Sequence, residues 1–280
     1  MVHSETSRLH RASMDFKNCT AVITGGSSGL GAEFARQLAP QARALVLVAR
    51  REAQLTALAD ELQRSHPALR IVTVPCDLAD ADQRGQLPGH LVSLGLRVNL
   101  LINSAGVGDY GSFADGVWPR IAPMLDVNIT ALTHLTHLFL PDLQTHAPSG
   151  ILNVSSLAGE MPIPDFAVYA AGKAYVSRFS EALRIELRAE RIAVCVLCPG
   201  PVKTGFGAVA ERAGEKTPKM SAACQTKERV VRAGLRGLKR GQARVFPGFI
   251  VRATALLVNL LPMPLLRAVM GRRPRRPRPA

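Results

Sequence analysis

Two side chains four residues apart, Tyr169 and Lys173, form a pair that could move a proton. On a helix this spacing places both side chains on one face, one turn apart. A phenol titrates near ~10, too high for proton transfer at neutral pH, but a neighbouring ammonium lowers the pKa of the phenol. The pair would then serve as a general acid and base. A chance pair on a solvated helix surface has the same pattern.

A third candidate, Ser156, lies thirteen residues before Tyr169 and just after the apolar run 151–155. This run is typical of a buried strand. Ligands of open parallel sheets bind beyond the carboxyl ends of the strands. A hydroxyl at this position can hydrogen-bond a substrate oxygen, although a Ser that only caps a turn would look the same.

The elements that must position these side chains follow a regular alternation. Apolar runs without period-two alternation indicate strands buried on both faces, and helical patterns fill the gaps between them. Repeated strand–helix units predict the α/β class, with a single doubly wound parallel sheet and helices on both faces. The six predicted strands are residues 19–24, 44–49, 71–74, 98–103, 151–155 and 192–197.

The 280 residues are predicted to form one main domain with two terminal segments. No Pro/Ser-rich linker precedes residue 200, so residues 15–248 are assigned to one catalytic domain. Residues 1–14 are polar, lack the apolar region of a secretory signal, and are expected to be flexible. Residues 205–225 have no strong period and are expected to form a mobile lid over the substrate. The segment 249–280 is apolar and then rich in Arg and Pro.

The first predicted strand leads directly into a Gly-rich loop, residues 24–31, and then into a helix. Glycines allow a sharp turn and a close approach to a pyrophosphate, while the helix N-terminus offers N–H groups and a positive dipole end. An ordinary Gly-rich turn is the alternative. The strand before the loop and the helix after it favour a dinucleotide site.

Arg50 and Arg51 follow the second strand, where a site for NAD usually has an acidic residue for the ribose hydroxyls. A guanidinium offers donors to a 2′-phosphate and no acceptor to a free diol. The sequence therefore predicts NADP(H), with Arg50 as the main contact. Solvated charges at the start of the next helix would give the same residues.

With these motifs in family order and at family spacing, the chain resembles the short-chain dehydrogenase/reductase family from about Thr20 to Thr204. The resemblance implies a single Rossmann-type domain, hydride transfer between a nicotinamide cofactor and a carbonyl or alcohol, and a homo-oligomer, either a dimer or a tetramer. The matching pieces are residues 24–31, 76–78, 103–106, 127–128, 155–156, 169–173 and 199–204. Ser104 and Gly172 depart from the residues usual in the family.

The resemblance also implies a role for each matching residue. Tyr169 would be the acid/base, Lys173 would lower the pKa of Tyr169 and hold the nicotinamide ribose, and Ser156 would polarise the carbonyl. Asn128 would support a water that connects Lys173 to solvent. The cofactor would contact Thr24, Gly25, Ser27, Ser28, Gly29, Leu30, Gly31, Arg50, Asp77, Leu78, Asn103, Ala105, Gly106, Tyr169, Lys173, Pro199, Gly200, Val202 and Thr204.

The net charge of +14 is confined to the end of the chain. Residues 1–200 hold 17 basic and 18 acidic side chains, whereas residues 201–280 hold 18 basic and 3 acidic ones. The basic tail lacks stacking aromatics and no nucleic-acid recognition fold is predicted, so no nucleic-acid partner is expected. Five cysteines, an odd number, favour a reducing, cytoplasmic location.

The apolar segment from Phe249 to Met270 has two open interpretations. It packs over the substrate pocket or a partner subunit, or it lies in a membrane interface. Pro262 and Pro264 interrupt it, so it is not expected to span a bilayer. The Arg/Pro-rich residues 272–278 are either a disordered tail or an additional contact with anionic lipid.

The predicted function is an NADP(H)-dependent oxidoreductase that interconverts a carbonyl and a secondary alcohol, on a small and by analogy lipophilic substrate. No metal site is predicted, since His134 and His137 lack a third ligand and Cys195 and Cys198 face opposite sides of a strand. A non-catalytic NADP(H)-binding or scaffold protein on the same fold is the alternative.

Overall fold

Seven parallel strands form one sheet in the computed structural model, which describes residues 13–212 and 224–271. Their order across the sheet is β3-β2-β1-β4-β5-β6-β7. The strands are therefore added on one side of β1 up to β3 and on its other side from β4 onward. The strands are β1 Thr20–Thr24, β2 Ala44–Ala49, β3 Arg70–Pro75, β4 Leu100–Asn103, β5 Ser149–Val154, β6 Ile192–Leu197 and β7 Arg244–Val245. The predicted α/β fold with a doubly wound parallel sheet is confirmed.

Ten α-helices connect and flank these strands. They are α1 Gly29–Leu38, α2 Glu52–Ser65, α3 Ala81–Ser93, α4 Trp118–Leu125, α5 Leu132–Thr145, α6 Ala167–Glu186, α7 Phe206–Ala210, α8 Lys227–Lys239, α9 Phe249–Leu260 and α10 Met263–Gly271 within the described ranges. A π-helix, Asp126–Ala131, joins α4 to α5, and a 3₁₀ helix, Leu157–Glu160, follows β5.

Each face of the sheet has its own buried core. Leu55, Leu58 and Leu62 of α2 pack with α1 and α8 on one face. Leu135 of α5 and Leu183 of α6 pack with α3 on the other. Alternate residues of one strand point to opposite faces, so β1 contributes Ala21 and Ile23 to the first core and Val22 to the second. Helices on both faces explain why the strands are apolar throughout.

The described start of the chain is part of the body. Met14, placed by the sequence prediction in the flexible segment, is 1% exposed, and Phe16 is also buried. A side chain at Gly150 would come within 3.2 Å of Met14 Cγ, which places the methionine over the start of β5. Residues 1–12 lie outside the described ranges, as do 213–223 of the predicted lid and 272–280 of the basic tail.

The apolar C-terminal segment forms α9 and α10. In the described ranges no single helix has the length and apolar character needed to cross a membrane. Together α9 and α10 meet that criterion, but they are bent by 118° at the break between them.

Candidate functional site

The carboxyl end of β5 and the start of α6 bring Ser156, Tyr169 and Lys173 together. Ser155 Oγ donates to the Lys173 carbonyl at 2.7 Å, which fixes the strand end on the helix backbone. Gly159 makes the closest approach, since a Cβ there would lie 2.6 Å from the Lys173 carbonyl carbon. No other residue fits at this crossing without displacing backbone, so Gly159 sets the distance between the Ser156 segment and α6.

Arg244 of β7 holds the same segment from the other side. Its guanidinium lies 2.7 Å from Glu160 Oε2 in the 3₁₀ helix and 2.8 Å from Glu181 Oε2 in α6. The Glu160 side chain is 4% exposed and that of Arg244 is 16% exposed, so water screens this ion pair little. β7 was not among the predicted strands, because its two residues are too few to show a strand pattern.

Tyr169 lies in an apolar pocket built from its sequence neighbour Phe166 and from side chains of α4 and α7. Its ring stacks on Phe166 at a centroid distance of 4.2 Å and lies 5.4 Å from the ring of Phe206 in α7. Ile121 and Met124 of α4 complete the same cluster. The low aromatic content of the chain did not predict this cluster of aromatic rings. The cluster makes the surroundings of the phenol apolar.

Lys173 is buried beside the tyrosine. Its Nζ donates to the Val154 carbonyl at 2.9 Å and lies 5.6 Å from the centroid of the Tyr169 ring. Asn128 lies in the π-helix, a feature often found at functional sites. Its amide exchanges two hydrogen bonds with the Val107 backbone, at 2.9 and 2.8 Å. A Cβ at Gly106 would lie 3.3 Å from Asn128 Oδ1 and 3.5 Å from Lys173 Nζ.

Burial controls the charge states of this pair. Burial raises the pKa of Tyr169 to about 12, and the hydrogen bond with Ser156 opposes this only in part. Burial also lowers the pKa of Lys173 to about 8. The direction for Tyr169 is opposite to the one predicted from the neighbouring lysine, because burial removes the phenolate from water and destabilises it. Tyr169 therefore carries its proton at neutral pH.

The Gly-rich loop is folded against the end of β4. Thr24 Oγ1 accepts hydrogen bonds from the backbone N–H groups of Ser104 and Ala105, both at 3.0 Å. Gly25 has a φ of +68°, and a Cβ there would lie 2.9 Å from Ala105 Cα. Only glycine satisfies both conditions. Ser28 precedes α1, makes no side-chain capping bond and is followed by no acidic residue in the first turn, so this helix end suits an anion.

The other residues predicted to hold the cofactor lie along the same edge of the sheet. Asp77 and Leu78 follow β3, residues 103–106 follow β4, and residues 199–204 follow β6. Thr204 lies across the edge from the first loop, with its Cγ2 3.7 Å from where a Cβ of Gly29 would be. Asn103 Oδ1 and Ser104 Oγ are buried without a hydrogen-bond partner. The glycines allow a close approach of a ligand to the backbone, and the unsatisfied polar atoms could hydrogen-bond it. Both features fit a nicotinamide dinucleotide.

One of the two arginines after β2 contacts the Gly-rich loop directly. Arg51, not Arg50, contacts the Gly-rich loop, with Nη2 at 3.1 Å from Ser27 Oγ and 2.7 Å from Ser28 Oγ. Both arginines are exposed. Successive residues after a strand point in different directions, so the sequence alone could not assign the contact to one of them.

In the described ranges, no group of three or more His, Cys, Asp or Glu side chains could hold a metal ion. Cys195 and Cys198 are both fully buried. Burial raises the pKa of each thiol to about 12, so they behave as small apolar residues.

The comparison with protein families agrees with this geometry. Residues 19–214 match the family model described as short chain dehydrogenase. The chain belongs to the short-chain dehydrogenase family. Its relatives include sulfoacetaldehyde reductase 2 of Chromohalobacter salexigens, 36% identical over 190 residues that cover 66% of this chain and 73% of the relative.

Two further matches are a relative named for a different activity and a solved structure of the same fold. The very-long-chain 3-oxoacyl-CoA reductase-A of Danio rerio is 30% identical over 188 residues, covering 66% of this chain and 58% of that protein. A short-chain dehydrogenase from Sphingobium yanoikuyae, solved in complex with NADPH, superposes with a TM-score of 0.74 at 28% identity, covering 94% and 98% of the two chains. Solved structures of this fold contain either NADP(H) or NAD, so the fold accommodates a nicotinamide cofactor of either kind.

A buried carboxylate that was not predicted from the sequence joins α4 to the segment after α7. Asp109, 4% exposed, accepts from Arg120 Nε of α4 at 2.6 Å and from Arg212 Nη2 beyond α7 at 2.5 Å. Burial opposes ionisation, but the two guanidinium groups outweigh it and hold the pKa of Asp109 below its usual value. Arg212 lies 103 residues away in sequence, so no local pattern pointed to this clamp.

Gly159 and Gly172 give a matched pair of substitutions. Gly159→Ala should lower the free energy of unfolding by about 2 kcal/mol and reduce turnover, because its Cβ would overlap the backbone of α6. A Cβ at Gly172 would lie 3.6 Å from Ile129 Cδ1, an ordinary contact. Gly172→Ala should therefore stabilise the helix by up to about 1 kcal/mol. Urea unfolding of both variants tests this, and equal effects of the two alanines would contradict it.

Asp109→Asn should loosen the clamp between α4 and α7. Replacing a carboxylate that binds two guanidinium groups should cost about 2 kcal/mol of unfolding free energy and raise KM more than it lowers kcat. Because the pKa of Asp109 is depressed, the stabilisation is present above the pKa of an unfolded Asp and disappears as pH falls through the lowered value. Asp115→Asn, at an exposed carboxylate nearby, is the control. Stability profiles of Asp109→Asn and wild type that stay parallel down to acidic pH would argue against the clamp.

Proposed function

We propose that this short-chain dehydrogenase is an NADP(H)-dependent carbonyl reductase, which also runs in the direction of alcohol oxidation when the cofactor ratio favours it. The observation that carries the proposal is Tyr169 buried in an apolar cluster, next to buried Lys173 and the Ser156 segment. This burial raises the pKa of Tyr169 to about 12. Reduction of a ketone needs a proton donor at the carbonyl oxygen, and a phenol of high pKa holds that proton at neutral pH.

Each side chain has a distinct part in the reaction. A nicotinamide cofactor held in this site would supply or accept the hydride. Tyr169 donates its proton to the substrate oxygen as negative charge develops on it, and takes a proton back in the reverse direction. Ser156 hydrogen-bonds the same oxygen and orients it. The Lys173 ammonium stabilises the tyrosinate left behind by proton donation. Asn128, beside Lys173, supports the water through which the site is reprotonated.

The residues proposed to hold the cofactor lie at the carboxyl edge of the sheet. The loop 24–31 and the N-terminus of α1 would bind the pyrophosphate, Asp77 and Leu78 the adenine, and residues 103–106 the adenosine ribose. Residues 199–204 and Lys173 would hold the nicotinamide end. Arg50 remains the proposed main contact of the 2′-phosphate. Arg51, which contacts Ser27 and Ser28 of the Gly-rich loop, is proposed as a second hydrogen-bond donor to the same phosphate.

The pocket around the tyrosine favours an apolar substrate. Phe166, Phe206, Ile121 and Met124 offer hydrocarbon surface next to the phenol. We infer a small lipophilic ketone and its secondary alcohol as the substrate pair, in a homo-oligomer of the kind common in this family. A scaffold protein that binds NADP(H) without turnover is the competing function, and the complete set of Ser156, Tyr169 and Lys173 argues against it.

Tyr169→Phe tests the reaction directly. It removes one hydroxyl and keeps the ring stacked on Phe166, so NADPH binding should persist while ketone-dependent NADPH oxidation falls at least about a thousandfold. Absorbance at the NADPH band follows turnover, and the enhancement of NADPH fluorescence follows binding. The exposed Tyr175→Phe variant, on the same helix, is the matched control. Unchanged turnover in Tyr169→Phe would sink the mechanism, and absence of turnover in wild type with a broad ketone panel would favour the scaffold.

Separate variants at the two arginines test the choice of cofactor. Arg50→Asp should lower the ratio of kcat/KM for NADPH over NADH by at least about tenfold, because a carboxylate repels the 2′-phosphate and accepts from a free diol. Arg51→Asp should have a smaller effect of the same sign. Arg43→Asp, an exposed site before β2, is the control. An unchanged ratio in both variants would remove the arginines from the cofactor site.

A further inference from the structure

The outer side of α9 and α10 is the most apolar surface of the described chain, and the proposed reaction makes no use of it. Fifteen large apolar side chains are exposed in the described ranges, and eight of them fall within residues 249–271. Phe249 is 83% exposed and Leu260 is 72% exposed. The eight, which we call the C-terminal apolar face, are Phe249, Ile250, Leu256, Leu257, Leu260, Met263, Leu265 and Val269.

The opposite side of α9 is fixed to the enzyme body. Val251 and Ala255, 1% and 2% exposed, pack on Leu157 in the 3₁₀ helix that follows Ser156. Asn259 Nδ2 also donates to Glu160 Oε2 at 3.3 Å. The helix therefore cannot rotate to bury its apolar face without separating from the segment next to Ser156. Exposed patches of this kind mark interaction surfaces in soluble proteins.

The charge around this face indicates what it contacts. Residues 229–280 contain thirteen Lys and Arg and no Asp or Glu. Arg252 and Arg267 are exposed within α9 and α10 themselves. In a two-fold contact between two copies of the chain, the same surface meets itself, so these positive charges would face each other. An anionic surface neutralises them instead.

The lengths of α9 and α10 and the angle between them indicate whether the two helices would cross a membrane or lie along its surface. The 12 residues of α9 extend roughly 18 Å, well short of the about 30 Å of a bilayer core. The 118° bend and the packing of α9 on the 3₁₀ helix also prevent the pair from forming one straight span. Short helices that do not span the bilayer and that carry apolar side chains with interspersed arginines are typical of the membrane interface.

We propose that the C-terminal apolar face binds the surface of an anionic lipid bilayer, with α9 and α10 embedded among the headgroups and the sheet remaining in water. Arg252 and Arg267 contact lipid phosphates and carboxylates, and the apolar side chains enter the acyl boundary. Since α9 packs on the segment next to Ser156, this contact places the candidate site close to the lipid. The lipid contact is independent of the reaction and is measured without substrate.

Co-sedimentation of the full chain with vesicles tests the proposal. Binding is expected to vesicles of phosphatidylcholine with 30% phosphatidylserine in moderate salt, and to be at least about tenfold weaker with phosphatidylcholine alone. Raising the salt to 0.5 M should weaken binding to the anionic vesicles, because it screens the charges. Failure of wild type to sediment with anionic vesicles would overturn the proposal, as would equal binding to both kinds of vesicle.

Matched variants locate the contact. Leu256→Ser, Leu257→Ser and Leu260→Ser combined should reduce the partition coefficient at least about tenfold. The double variant Val92→Ser and Ile185→Ser, at exposed apolar positions of α3 and α6, should leave it unchanged. Thermal melting and turnover of a water-soluble ketone show that each variant is folded. Equal lipid binding by the α9 variant and the control variant would contradict the proposed lipid contact. A change of oligomeric state confined to the α9 variant, measured by light scattering, would assign the C-terminal apolar face to a subunit interface instead.

Discussion

The close crossing of the segment after β5 over the backbone of α6 is the contact on which the site depends. Ser155 bonds the carbonyl of Lys173, and Gly159 leaves no room for a Cβ against the same residue. This contact brings the Ser156 hydroxyl close enough to Tyr169 to oppose part of the rise in the pKa of the phenol. The Arg244 ion pairs with Glu160 and Glu181 hold the crossing from the far side. The spacing between Tyr169 and Lys173 comes from the helix, but their alignment with Ser156 comes from this crossing.

Burial at the crossing also sets the chemistry. A phenol and an ammonium in an apolar pocket both shift towards their neutral forms, and the pKa values of about 12 and about 8 express that tendency. The same burial strengthens hydrogen bonds and electrostatic interactions with charge that appears during a reaction, since little water is present to screen them. Tyr169 is thus placed to donate a proton, which matches the proposed reduction of a carbonyl.

The body and the C-terminal segment contribute different properties. The nearly neutral first 200 residues form most of the sheet and contain the predicted cofactor loops up to Gly200, whereas the excess positive charge belongs to residues after 200. Within the family, sulfoacetaldehyde reductase 2 and the very-long-chain 3-oxoacyl-CoA reductase-A share this body but carry names that point to very different substrates. In this chain, α4 and α7 contribute side chains to the apolar cluster around Tyr169, and α9 packs on the 3₁₀ helix after Ser156.

The sequence by itself determined the strands β1 to β6 and the dinucleotide loop, and it pointed to Ser156, Tyr169 and Lys173, because each is encoded in a local pattern of apolar runs, glycines or helical spacing. Tertiary structure alone decided the short β7, the Asp109 clamp, the loop contact of Arg51 and the burial of Met14. It also showed that a Cβ at Gly172 meets only ordinary contacts and that burial raises the pKa of Tyr169. These features depend on residues far apart in the chain, and on desolvation, which no local pattern records.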